Sequence, residues 1–149
     1  MTKHFDKQKL ARCFWETGRC SECRLTQPAT KLPYGIEDNL EELATVILEP
    51  VRERLGKPIV VNSGFRCPIH NRAVGGATAS QHMKGEAADL RIDGKPEVLA
   101  KIIVANGKWD QLILYPTFVH VSWKRGGGNR KEILRKTAGG YQKVEPSEI

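Results

Sequence analysis

No apolar run in this sequence approaches the roughly 20 residues that a membrane-spanning helix needs, so there is no candidate for a transmembrane helix. The opening stretch, MTKHFDKQKLARCFW, carries charge with no apolar segment behind it. No signal peptide is therefore expected, and the chain is expected to be made in the cytoplasm. Internal repeats are absent, which removes solenoid and propeller architectures. There is no helix-turn-helix or zinc-finger signature, so nucleic acid is not an expected partner. Cysteine is sparse: Cys13, Cys20 and Cys23 are spaced C-x6-C-x2-C, and Cys67 begins the tetrapeptide C-P-I-H. Spacing alone leaves three states open for them: free thiols, disulfides, or a structural metal site of thiolates with one more Cys or His.

What is present suits one globular domain: 149 residues, 40% of them hydrophobic, enough to bury a core. The formal net charge is +7. That excess favours anionic partners such as cell-wall polymer, a membrane surface or nucleic acid. Basic residues are scattered until Lys124, Arg125, Arg130, Lys131, Arg135 and Lys136, which read as a solvated basic tail.

Along the chain, residues 1–35 are irregular and cysteine-bearing, broken by Pro28, Pro33 and Gly35. Leu40, Leu43, Ile47 and Val51 then recur at helical spacing. Asn39 is the expected N-cap with Glu42 completing a capping box, Pro50 should kink the helix, and Gly56 should end it. PIVVNSG reads as a buried strand, and residues 65–85 as a long loop. EAADLRI is a strand with Ala87, Asp89 and Arg91 on one face and Ala88, Leu90 and Ile92 on the other. KPEVLAKIIVANG is a helix, and QLILY and TFVHVSW are strands, the second putting Phe118, His120 and Ser122 on one face. The stretch from Gly126 onward reads as loose, with one short helix around Lys131 to Arg135. The expectation is an α+β core over 36–124 with a small, mostly antiparallel sheet and flanking helices, followed by a basic, loosely structured segment, 125–149.

His82, Asp89 and His120 form the constellation with chemistry in it. Two imidazoles and a carboxylate are a usual protein set for catalytic zinc, with the fourth position open. Asp89 and His120 lie on strands, each opposite a bulky apolar face, and converge if those strands are neighbours. Gly85 permits a tight turn between His82 and Asp89. Taken singly, each residue has an ordinary reading as a satisfied polar group or an ion-pair partner of Arg66 or Arg91.

SQHMKGEAAD matches every fixed position of the S-x-H-x-x-G-x-A-x-D motif of the M15 zinc peptidases. SGFRCPIHNRAVGG is similar to that family's SGYR…N…VGG segment, and QLILYPTFVHVSW resembles its closing strand. The likeness covers roughly residues 36 to 123. The fold it implies is that of the D-Ala-D-Ala peptidases and the Hedgehog signalling domain. The activity it implies is zinc-dependent cleavage of peptidoglycan stems, as D-alanyl-D-alanine carboxypeptidase or L-alanyl-D-glutamate endopeptidase. It further implies His82, Asp89 and His120 as zinc ligands, with Arg66 and Ser80 binding substrate. In such a site zinc polarises the scissile carbonyl and activates a water.

A proton acceptor is harder to place. Many members of this family carry an acid or a histidine two to six residues before the last metal histidine. Here those positions are Leu114, Tyr115, Pro116, Thr117 and Phe118. Asp110 is the nearest upstream acid and the first candidate for the base. Tyr115 is a poor base and a candidate hydrogen-bond donor to the oxyanion instead, and His70 and Glu86 are further candidates for the base. The rival expectation is a zinc-containing module that binds wall peptides without cutting them. A second, structural metal at Cys13, Cys20, Cys23 and Cys67 is a further expectation, as is a monomer of phage or prophage type that acts on the wall once released.

Overall fold

The computed structural model describes residues 1–12, 32 and 34–149. Among them, a short helix α1 (Lys7–Leu10) precedes a long helical run. That run comprises α2 (Ile36–Leu43), a π-helical turn (Ala44–Leu48) and α3 (Glu49–Leu55). Then come β1 (Val60–Ser63), α4 (Pro68–Ala73), a 3-10 turn (Gln81–Lys84), β2 (Ala87–Arg91) and α5 (Pro96–Asn106). Four more strands follow: β3 (Gln111–Leu114), β4 (Val119–Ser122), β5 (Glu132–Thr137) and β6 (Gly140–Lys143). They form a six-stranded sheet in the order β1-β2-β4-β3-β5-β6. All pairings are antiparallel except β3 with β5. This is the α+β architecture expected. No helix among the described residues is long and apolar enough to cross a membrane.

The sheet has one face for the core and one for chemistry. Leu90, Leu112, Leu114, Val119 and Val121 join the apolar cluster made with Leu40, Leu43, Ile47, Val51, Leu99 and Ile103 from the helices. Each such side chain withdrawn from water contributes about 1.5–3 kcal/mol. Alternation sends their neighbours Asp89, Ile113 and His120 to the opposite face. The registers align these residues: Ser63 opposite Asp89, Asp89 opposite His120, His120 opposite Ile113, and Ile113 opposite Leu134.

Pro50 does not simply bend the long helix. It has no N–H to give to Val46, four residues back. The helix absorbs this by widening into the π turn just before it. The released Val46 carbonyl instead accepts a hydrogen bond from Asn106 Nδ2 at 3.2 Å.

Three local expectations are corrected. Asn39 is not the N-cap: Gly35, in the left-handed region with φ 79°, takes that place. Asn39 lies one turn inside α2, donating from Nδ2 to the Lys84 carbonyl and accepting from Arg125 Nε. The long loop at 65–85 contains α4, capped by Cys67 with Pro68 in its first turn, and the 3-10 turn. The C-terminal stretch, expected to be loose with a helix near Lys131 to Arg135, is the hairpin β5–β6 at the sheet's edge. Parallel pairing with β3 buries Ile133, whose carbonyl accepts the N–H of the buried Val144, and this outweighs the helical propensity of KEILRK.

Candidate metal centre

His82 sits on the 3-10 turn, whose ends are both defined by side-chain or backbone chemistry. Ser80 Oγ accepts the His82 N–H at 3.2 Å, and Gly85 ends the turn at φ 72°. A Cβ at Gly85 would also lie 2.8 Å from the Ile36 carbonyl oxygen, so both conformation and space demand glycine. His82 is buried, to 3% exposure. Its ring meets that of His120 edge-on at 5.2 Å.

The structure brings His82, Asp89 and His120 together, with one ligand atom from each within 4.8 Å of the others. Asp89 Oδ1 is 2.9 Å from His120 Nδ1 and 3.3 Å from His82 Nε2. The other ring nitrogen of His82 lies 2.8 Å from the Gly64 carbonyl. A carbonyl only accepts, so Nδ1 carries the hydrogen and Nε2 turns a lone pair toward the carboxylate. Two acceptors face each other stably only around a proton or a cation. An outward hydrogen bond to a backbone carbonyl is also how metal-binding histidines are oriented. Two imidazoles and one carboxylate therefore fit a divalent ion such as zinc, with a fourth position open.

Arg66 secures the carboxylate. It donates from Nη2 to Asp89 Oδ2 (3.2 Å), from Nε to Ser63 Oγ (2.9 Å) and from Nη1 to Asn71 Oδ1 (3.3 Å). Two of its five N–H groups remain for an incoming anion. Burial pushes the Asp89 carboxyl up, but hydrogen bonding with His120, and with His82 when a proton rather than an ion stands between them, together with the charge that proton brings, holds it well below the usual carboxylate range. Asn71, which the sequence reading did not single out, is buried and clamps the segment by donating to the Ala77 carbonyl at 2.9 Å. Gly76 approaches it so closely that a Cβ there would lie 2.1 Å from Asn71 Oδ1.

An open cavity of about 620 Å³ lies over these residues. Its lining includes the cations Arg66, Lys84, Lys124 and Arg130, the carboxylates Glu86 and Asp89, Ser80, and the aromatics Tyr115, Phe118 and Tyr141. Tyr115 stacks on Phe118 at 4.4 Å, and its hydroxyl lies 3.0 Å from that of Tyr141. Burial above all holds the Tyr115 phenol well above its ordinary pKa, so it stays protonated.

Asp110 does not join this group. It is fully buried and takes Arg130 N–H and Nε on Oδ1, and Arg130 Nη2, Gln81 Nε2 and Ser122 Oγ on Oδ2. Burial raises its pKa, and the Arg130 and Gln81 bonds override that to hold it well below the usual carboxylate range. A carboxylate so engaged has no lone pair free for a water. Its effect is indirect: Gln81, the first residue of the turn that carries His82, is held between Asp110, Arg130 and Glu86. Among the cysteines, Cys67 is buried at the start of α4, and its Sγ accepts the His70 N–H at 3.4 Å. Cys13, Cys20 and Cys23 lie outside the described residues.

A sheet that gathers two imidazoles and a carboxylate at one point suits a metallopeptidase-type domain, and the family comparison agrees. Residues 5–122 match the Peptidase M15 model, so the chain belongs to the M15 peptidase family. Over 44 residues it is 54% identical to the zinc D-Ala-D-Ala carboxypeptidase of Streptomyces albus G, a match spanning 29% of this chain and 17% of that enzyme. Strands β5 and β6 lie beyond the family match.

Proposed function

We propose that this chain is a zinc-dependent peptidase that hydrolyses the peptide stems of bacterial peptidoglycan, acting as a monomer at the wall after release, in the manner of a phage-type lysin. The observation that carries this reading is the convergence of His82 Nε2, His120 Nδ1 and Asp89 Oδ1 on one point below an open, cation-lined cavity. Zinc held there supplies Lewis acidity toward a carbonyl and an activated water. The chain's own residues do the rest. Arg66 keeps Asp89 oriented and offers its remaining N–H groups to a substrate carboxylate, of which peptide stems have many. Ser80 holds the turn under His82 and faces the same cavity.

Glu86, rather than Asp110, takes the proton in this reading. Among the described residues it is the one carboxylate besides Asp89 that lines the cavity. Its Oε1 accepts only a long bond, 3.3 Å, from Gln81. The protonated carboxyl then passes its proton to the leaving amine. Glu86→Gln should lower kcat by about 10²-fold or more, with zinc content unchanged; full activity would return the base assignment to open ground.

The decisive experiment joins metal analysis to digestion of purified peptidoglycan. Zinc at the site and new amino termini in the mass spectrum, both lost in His82→Ala, support the reading. No zinc, or unchanged product release in His82→Ala, overturns it. The digest also separates a D-Ala-D-Ala carboxypeptidase from an L-Ala-D-Glu endopeptidase. The locking of Asp110 favours a second reading, a zinc-containing module that binds wall peptides without cutting them; binding with no new terminus would select it. A second, structural zinc on Cys13, Cys20, Cys23 and Cys67 rests on the cysteine spacing alone. It predicts two zinc ions per chain, one of them lost in Cys67→Ser.

A further inference from the structure

The hairpin β5–β6 lies outside the family match yet brings a side chain to the site. The registers show how. Ile113 on β3 shares the face of His120 and Asp89, and Tyr115, two residues on, continues that face into the cavity. Leu134 on β5 pairs with Ile113, so Leu134 and Lys136 share the face as well, and Lys136 pairs with Tyr141 on β6. Tyr141 thus reaches the cavity from the far edge of the sheet. Its hydroxyl meets that of Tyr115 at 3.0 Å, the two rings edge-on at 6.2 Å. Lys136 Nζ lies over the Tyr141 ring at 4.9 Å, and Phe118 stacks on Tyr115. Phe118 and Lys136 thus flank the tyrosine pair, one on each ring.

A pair of hydroxyls has two hydrogens, and their mutual bond uses one. The other is aimed elsewhere. Tyr115 is the more enclosed partner and Tyr141 is half exposed. We infer that Tyr141 donates to Tyr115, and that Tyr115 turns its own hydrogen onto the substrate carbonyl oxygen as negative charge develops there. This rests on the peptidase reading. Tyr115 is then a catalytic residue and Tyr141 a positioning residue. No proton moves between the tyrosines and the substrate: the hydrogen bond to the oxygen strengthens as the carbonyl carbon becomes tetrahedral, and relaxes when the amine leaves. A donor that already accepts a hydrogen bond is a better donor, the usual cooperativity of such chains.

The test uses the zinc-loaded full chain, wild type, Tyr115→Phe and Tyr141→Phe. Phenylalanine keeps the ring contacts, and equal zinc content in the three proteins shows that the ligands are undisturbed. The substrates are a peptide ending in D-Ala-D-Ala and one with an internal L-Ala-D-Glu bond. Tyr115→Phe should lower kcat by about 10²-fold, as loss of one oxyanion donor does. Tyr141→Phe should lower it by roughly 3- to 10-fold, with KM within about twofold of wild type in both. A Tyr141→Phe kcat within twofold of wild type, or a change confined to KM, overturns the inference while leaving the peptidase reading standing. Should wild type cut neither peptide, the peptidase reading fails, and a phosphinate analogue of the dipeptide bond still decides the tyrosines by calorimetry. Binding weakened in the order Tyr115→Phe, then Tyr141→Phe, supports the donor chain; equal affinity in all three refutes it.

Discussion

Arg130→Met is the most informative single perturbation of this fold. Asp110 is a carboxylate with 0% exposure, and Arg130 supplies two side-chain hydrogen bonds to it, Nη2 at 2.9 Å and Nε at 3.2 Å. Methionine keeps the length and the apolar stem but leaves a buried charge without its counter-ion. Removing one partner of a fully buried pair costs about 3–5 kcal/mol. Two features reduce that here. The Arg130 side chain is 44% exposed, so its charge is screened by solvent. Three donors also remain to Asp110: the Arg130 N–H, Gln81 Nε2 and Ser122 Oγ. The expected loss at pH 7 is therefore about 2 kcal/mol, read by urea denaturation of the metal-free proteins. The pH dependence identifies the cause. In the wild type the Asp110 carboxyl is held below its unfolded value, so its contribution is complete above about pH 5 and is lost as pH falls toward the folded value. In the variant the folded pKa rises toward the unfolded one, so the gap between the two proteins should be widest above pH 5 and narrow below pH 4. A cost under about 0.5 kcal/mol at pH 7, or a cost independent of pH, would refute the reasoning, since that range is what ordinary surface substitutions show.

Two further predictions come from other parts of the molecule. Gly85→Ala should destabilise by more than about 2 kcal/mol, from the left-handed φ of 72° and the 2.8 Å approach to Ile36 O, lowering Tm by several degrees in a calorimetric scan; a change under one degree would contradict it. Glu49 is opposed by burial, but its bonds from His4 hold its carboxyl down to about 2. Its share of stability, at most about 3 kcal/mol, should be intact above pH 5 and vanish as pH falls toward 2, so Glu49→Gln should flatten the acid limb of the stability curve. An unchanged limb would show that the His4 contact contributes nothing net.

The convergence of His82, Asp89 and His120 was legible because strand alternation and a glycine-bounded turn are both local signals. Leu90 and Val119 announce the core face, so Asp89 and His120 had to face the other way, and the pairing of β2 with β4 then set them opposite each other. The wider site was not legible for a physical reason. Whether KEILRK is helix or strand depends on a partner, β3, that is non-local, and its charged residues suit an amphipathic helix equally well. The Thr137–Gly140 turn, with Ala138 and Gly139 between paired residues, was the available hairpin signal. Taking it up would have brought Tyr141 into view. Asp110 was ranked by sequence distance, and distance along a chain says nothing about an arginine that returns 20 residues later to claim both carboxylate oxygens.

The close approach of α1 to the site has an experimental use. Gly64 turns its carbonyl to His82, and the neighbouring Phe65 N–H donates to the Leu10 carbonyl at 2.7 Å; a Cβ on Gly64 would lie 2.2 Å from that same oxygen. The peptide unit between the imidazole and the amino-terminal helix is thus a shared tether. Isotope exchange at the Phe65 amide becomes a reporter of site occupancy: an ion that pins His82 stiffens the tether and slows exchange there, and trimming the first twelve residues frees it. A single backbone resonance can in this way follow ion loading in a protein whose expected metal is spectroscopically silent.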